Sequence, residues 1–99
     1  MIRMLLQEVK NYLKITWEEE DAHIQGIINR GQAYLNVLTG AELDFEAEGP
    51  PKALLLDYCR YTYNNASEYF EENYAKELLR LQLQAGIDTL PTEVVPDEG

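Results

Sequence analysis

Apolar positions in the first forty residues recur every three or four places. Leu5, Leu6, Val9, Tyr12 and Leu13 alternate in this way with Gln7, Glu8, Lys10 and Asn11, which predicts a short amphipathic helix over residues 4–13. Ile24, Ile27, Ile28, Gly31, Tyr34, Leu35 and Leu38 form a second apolar stripe and predict a longer helix over residues 17–38. Thr16 and Glu19 have the spacing of a capping box, in which hydroxyl and carboxylate each accept from the other residue's amide. Glu18, Glu19, Glu20 and Asp21 suit the positive end of the helix dipole. Gly31 lies inside the stripe, where glycine costs ~1 kcal/mol relative to alanine. Its presence predicts a close helix crossing. Gly40 stands where a left-handed cap is expected.

After Gly40 the period changes to two. Leu43, Phe45 and Ala47 alternate with Glu42, Asp44, Glu46 and Glu48, a pattern compatible with a short strand. The density of carboxylates beside Gly49-Pro50-Pro51 favours a solvated loop over residues 41–49. Pro50 or Pro51 suits the first turn of a third helix, over residues 51–64. Ala53, Leu55, Leu56, Cys59, Thr62 and Ala66 follow one face of it, and Leu54, Tyr58 and Tyr61 widen that face. Asn64 and Asn65 break the pattern, and Asn65 with Glu68 repeats the capping-box spacing. A fourth helix is expected over residues 66–85, built on Tyr69, Phe70, Tyr74, Leu78, Leu81 and Ala85 and stopped by Gly86. Residues 87–99 carry two prolines and four carboxylates, which predicts a flexible acidic tail. The expected fold is all-α: a small bundle of about four helices spanning 1–86, an acidic loop in its middle, and the tail.

Composition narrows the function. The chain has 99 residues, one domain's worth, with 18 Asp and Glu against 8 Lys and Arg and a net charge of −10. Such a chain is repelled by phosphate backbones and anionic lipid, which argues against broad binding to nucleic acid or a membrane surface. No apolar run approaches the ~20 residues of a membrane helix. The single cysteine, Cys59, excludes an internal disulfide and a cysteine-based zinc site. Glu19 and His23 share a helix face but supply only two ligands, where a transition metal takes three or four. The segment Glu42–Glu48 lacks the spacing of a calcium loop. Cys59 falls on the apolar face of the third helix and reads as a buried, inert thiol. There is one serine, Ser67, and no glycine-rich phosphate loop. No catalytic, metal or cofactor residue is assigned.

What the chain has in excess is tyrosine. Tyr58, Tyr61, Tyr63, Tyr69, Phe70 and Tyr74 crowd one stretch in which Arg60 is the only basic residue. A stacking platform for single-stranded nucleic acid needs a basic groove as well. Core and protein interface account for these rings better, since tyrosine buries well and keeps a polar end. Leu54, Tyr58 and Tyr61 on one flank of the third helix, extended by Tyr69 and Tyr74, form the candidate subunit interface.

The opening block Leu5-Leu6-Gln7-Glu8-Val9-Lys10-Asn11-Tyr12-Leu13-Lys14-Ile15 resembles the start of phage head–tail connector (adaptor) proteins. The following acidic cluster with Asp21, Tyr34-Leu35 and Leu38-Thr39-Gly40 agree with that pattern. So do Tyr61-Thr62-Tyr63-Asn64-Asn65, Phe70-Glu71-Glu72-Asn73-Tyr74 and Leu78-Leu79-Arg80-Leu81-Gln82-Leu83. The resemblance spans roughly residues 4 to 86, and the acidic segment 41–49 departs from it. It implies a structural, non-enzymatic protein of a tailed phage or prophage, made in the bacterial cytoplasm and placed at the virion's head–tail junction. It further implies a ring, typically a dodecamer, bound to the portal above and to the next connector, stopper or tail protein below. DNA would pass through the ring without specific binding. The competing reading is a small acidic all-α interaction module, either antitoxin-like or a DNA-mimic inhibitor. Ring formation on a portal separates the two.

Overall fold

A computed structural model describes residues 2–88, with side chains placed from Leu5 to Ile87. The described chain is all-helical: α1 (Ile2–Leu13), α2 (Asp21–Thr39), α3 (Pro50–Tyr63), a 3-10 turn (Ser67–Tyr69), α4 (Phe70–Asn73) and α5 (Ala75–Asp88). Residues 41–49 form a loop, and no strand occurs among the described residues.

α2 is the central element and touches α1, α3 and α5. Its stripe of Ile24, Ile27, Ile28 and Leu35 is buried as expected, together with Leu5 and Val9 of α1 and Leu54, Leu55 and Cys59 of α3. Each such aliphatic side chain contributes about 1.5–3 kcal/mol on burial. Gly31 occupies the crossing of α2 and α3. A Cβ there would lie 2.7 Å from Leu55 Cδ1 and from Tyr58 Cδ1, so only a hydrogen fits.

Helix ends are where the structure departs from the sequence pattern. α2 starts at Asp21 rather than Trp17, and no side chain caps it, so the Thr16–Glu19 capping box does not form. The chain instead turns after α1 with Lys14 in the left-handed conformation (φ 62°), and the Ile15 amide donates to Lys10 O at 2.8 Å. Ile15 is thereby buried, and Lys10 Nζ at the end of α1 reaches Asp21 Oδ1 at the start of α2, 2.6 Å away. Burying Ile15 and pairing Lys10 outweigh a surface cap. Asn65 also fails as an N-cap. It adopts the left-handed conformation (φ 59°) that ends α3, with the Ala66 amide donating to Tyr61 O at 2.8 Å. A residue so used cannot take the extended geometry of an N-cap. Gly40 does cap α2 in the left-handed region (φ 70°), and Pro50 and Pro51 do open α3.

The expected fourth helix is broken into the 3-10 turn, α4 and α5, with Tyr74 (φ −115°, ψ 23°) at the joint. Gly86 does not stop it, because α5 runs on to Asp88. The rest of the expected tail, residues 89–99, lies outside the described residues. Within the acidic loop, Phe45 is buried and Leu43 half-buried, so the loop is pinned by apolar anchors rather than wholly solvated.

Lys14 gives a direct test of the left-handed turn. A non-glycine residue there carries a steric cost of roughly 1–2 kcal/mol, partly recovered by glycine's greater entropy loss. Lys14→Gly is expected to raise stability by about 0.5–1 kcal/mol in urea titration.

Candidate functional site

The aromatic excess resolves into a cluster centred on Phe70, which is 2 % exposed. Tyr74 stacks on it at 4.9 Å between ring centroids, and Tyr58 and Tyr61 meet it edge-on at 5.6 and 5.8 Å. Tyr34 of α2 stacks on Tyr58 at 5.7 Å. The hydroxyls point outward to polar partners. Tyr34 donates to Glu71 Oε2 at 2.7 Å, Asn73 Nδ2 donates to the Tyr61 hydroxyl at 3.0 Å, and Arg60 Nη2 donates to the Tyr74 hydroxyl at 3.2 Å. The Arg60 guanidinium also lies over the Tyr61 ring, 5.0 Å from its centroid. Tyr12 of α1 donates to Asp57 of α3.

Burial pushes the Tyr74 phenol up to about 12, helped by the nearby Asp57 carboxylate, and burial with the Glu71 hydrogen bond raises Tyr34 as well. Both rings are thus favoured neutral in the folded state. Their contribution is intact below the ordinary tyrosine value near 10 and is lost as pH rises from there through about 12. Unfolding free energy is expected to fall by about 1 kcal/mol between pH 9.5 and 11.5, allowing for partial exposure. Tyr74→Phe, which has no proton to lose, should flatten that decline in urea titrations at the two pH values.

Of the five candidate interface residues, Leu54 is buried in the core, and Tyr58, Tyr61 and Tyr74 are half-buried against Phe70. Tyr69 stands apart from them at 53 % exposure. The surface that the sequence reading missed lies on α5. Leu79, Leu83 and Ile87 are all exposed and four residues apart, so they form a second apolar stripe outside the buried face of Leu78, Leu81 and Ala85. Its signal was present in the spacing, but one face of the same helix already explained the leucines. Val37 on α2 is exposed too, at 82 %.

Beside the α5 stripe, an open groove of about 840 Å³ runs between α3 and α5. Leu43, Pro51, Leu54, Leu81, Leu83 and Ile87 supply its apolar lining, and Asp57, Glu77 and Arg80 its charges. It adjoins a depression of about 410 Å³ that shares Leu43, Pro50, Pro51 and Ala85 and carries Glu42, Asp44 and Glu48. Lys52 fixes this end of the molecule. Its ammonium, 6 % exposed as a residue, bridges Glu8 of α1 at 2.7 Å and Glu48 of the loop at 2.8 Å. Those hydrogen bonds, to Glu48 and then Glu8, hold it above the ordinary lysine range.

The side chains around the Glu19–His23 pair make contacts of their own. Glu20 accepts from Trp17 Nε1 at 3.1 Å, Asp21 faces Lys10, and His23 lies against Tyr63. Among the described residues no three His, Cys, Asp or Glu side chains converge on a metal position. Cys59 is fully buried, and burial pushes its thiol up to about 12, which keeps it protonated and unreactive near neutrality. No helix among the described residues is long and apolar enough to cross a membrane.

These features define a small helical domain with an aromatic cluster around Phe70 and an exposed apolar stripe on α5. The family model described as phage gp6-like head-tail connector protein matches residues 3–94, and the chain belongs to that family. The family is a structural one, and its members assemble with other phage structural proteins at the head–tail junction. No curated protein and no solved structure matches the chain.

Proposed function

We propose that this chain is the connector that forms a ring beneath the portal of a tailed phage or prophage. The ring, a dodecamer in the virion, joins the DNA-filled capsid to the next connector layer or the tail. The protein is made in the host cytoplasm and acts as a structural part rather than an enzyme. The family match over nearly the whole chain is the observation that carries this reading. The exposed stripe of Leu79, Leu83 and Ile87 supports it, because a small domain with uncovered apolar surface gains stability by assembly. A head-to-tail contact between such domains closes into a ring when the rotation allows. A net charge of −10 lets DNA pass without sticking to the wall.

The experiment is to mix the purified chain with purified portal and inspect particles by electron microscopy and light scattering. Rings stacked on portals are the expected result. A chain that remains monomeric or dimeric beside intact portals would overturn the reading in favour of a free interaction module.

The subunit contact is proposed on the flank of Leu54, Tyr58, Tyr61, Tyr69 and Tyr74, with the exposed Tyr69 reaching the neighbour and the others holding the helices beneath it. Tyr69→Ala is expected to weaken ring assembly by ~2 kcal/mol, as truncation of a central interface aromatic does. Its thermal midpoint as a monomer should stay unchanged. Tyr74→Ala should instead lower that midpoint, by ~4–8 °C for each kcal/mol lost.

A further inference from the structure

The groove between α3 and α5 is open, and its chemistry is uneven. The lining is apolar, while the charges around it and the adjoining depression are five carboxylates and one guanidinium. Glu48 is paired with Lys52, and Asp57 lies 3.5 Å from Arg60. Glu42, Asp44 and Glu77 form no ion pair with a described residue, so they set the sign of the rim. Resting on the connector reading, we propose that this groove seats an apolar segment of the portal flanked by lysine or arginine.

From Tyr74 at the head of α5 to Ile87 the groove extends roughly 20 Å at ~1.5 Å per residue, which suits about four turns of helix or six extended residues. An amphipathic segment laid into such a groove buries its apolar anchors, and basic residues beside them meet the acidic rim. Two occupants from this chain itself fit less well. Residues 89–99 contain Glu93, Asp97 and Glu98 and no lysine or arginine. A second copy brings an excess of ten negative charges toward the same rim.

Ala53 is exposed and lines the groove, which makes it the place for a photoreactive probe. The full chain carrying benzoylphenylalanine in place of Ala53 is incubated with purified portal rings, irradiated, and the cross-linked peptide sequenced. The expected peptide is a portal segment with apolar residues and at least two flanking basic ones. In parallel, Glu77→Lys should weaken portal binding about tenfold with its helical signal kept and its melting lowered only by the loss of the first-turn carboxylate from α5. That loss should shrink at high salt, where exposed charges are screened. Cross-linking into residues 89–99 or into a second copy, or wild-type affinity in Glu77→Lys, overturns the proposal while leaving the connector reading intact. Failure of the unmodified chain to bind portals at all overturns that reading, and this proposal with it.

Discussion

Phe70→Ala is expected to destabilise the domain by about 3–5 kcal/mol, the range for removing a fully buried ring from a packed core. Four tyrosines pack around Phe70, at 4.9 Å for Tyr74, 5.6 Å for Tyr58, 5.8 Å for Tyr61 and 6.4 Å for Tyr34. These rings come from α2, α3 and the joint between α4 and α5, so no single helix shift refills the space. A domain of this size has about 5–15 kcal/mol in total. The variant should therefore unfold at a much lower urea concentration, and near-ultraviolet circular dichroism should lose its tyrosine signal. Phe70→Leu retains more apolar volume and should recover part of the loss. A midpoint for Phe70→Ala within error of the wild type would show that the cluster is not packed as described.

The second large effect comes from two glycines on one helix with opposite signs. Gly31→Val should cost about 2–3 kcal/mol, because overpacking a filled crossing forces neighbours off their rotamers. The nearest atoms are Leu55 Cδ1 and the Tyr58 ring, and that ring is held between Tyr34 and Phe70. Gly26 lies on the same helix, and a Cβ there would meet only the tip of Arg30 at 3.6 Å. Gly26→Ala should therefore gain about 0.5–1 kcal/mol through helix propensity alone. Thermal melts of the two variants decide the matter. Equal effects would mean that α2 and α3 do not cross closely at Gly31.

The sequence by itself determined that the fold is all-α, where α1 and α3 lie, and which face of α2 is buried. Ile24, Ile27, Ile28 and Leu35 repeat at a period that only a helix places on one side, and burying four such side chains is worth several kcal/mol. It also determined the stops at Gly40 and Pro50, since those residues act through their own backbone geometry. The connector resemblance was legible for the same reason: its blocks are runs of adjacent residues. Tertiary structure alone decided the remainder. The Thr16–Glu19 and Asn65–Glu68 caps are worth about 1 kcal/mol each, and both gave way to left-handed turns at Lys14 and Asn65, the first burying Ile15. Gly86 costs a similar amount in a helix interior, yet α5 continues through it. Lys52 is a buried bridge because Glu8, 44 residues away, folds onto it. Phe45 alternates with carboxylates in sequence, but its burial depends on a core that the loop does not itself contain. α5 carries two apolar stripes, and periodicity ranks neither. Only the positions of α2 and α3 leave Leu79, Leu83 and Ile87 outside, because a helix at the edge of a bundle has one side to pack and one to offer.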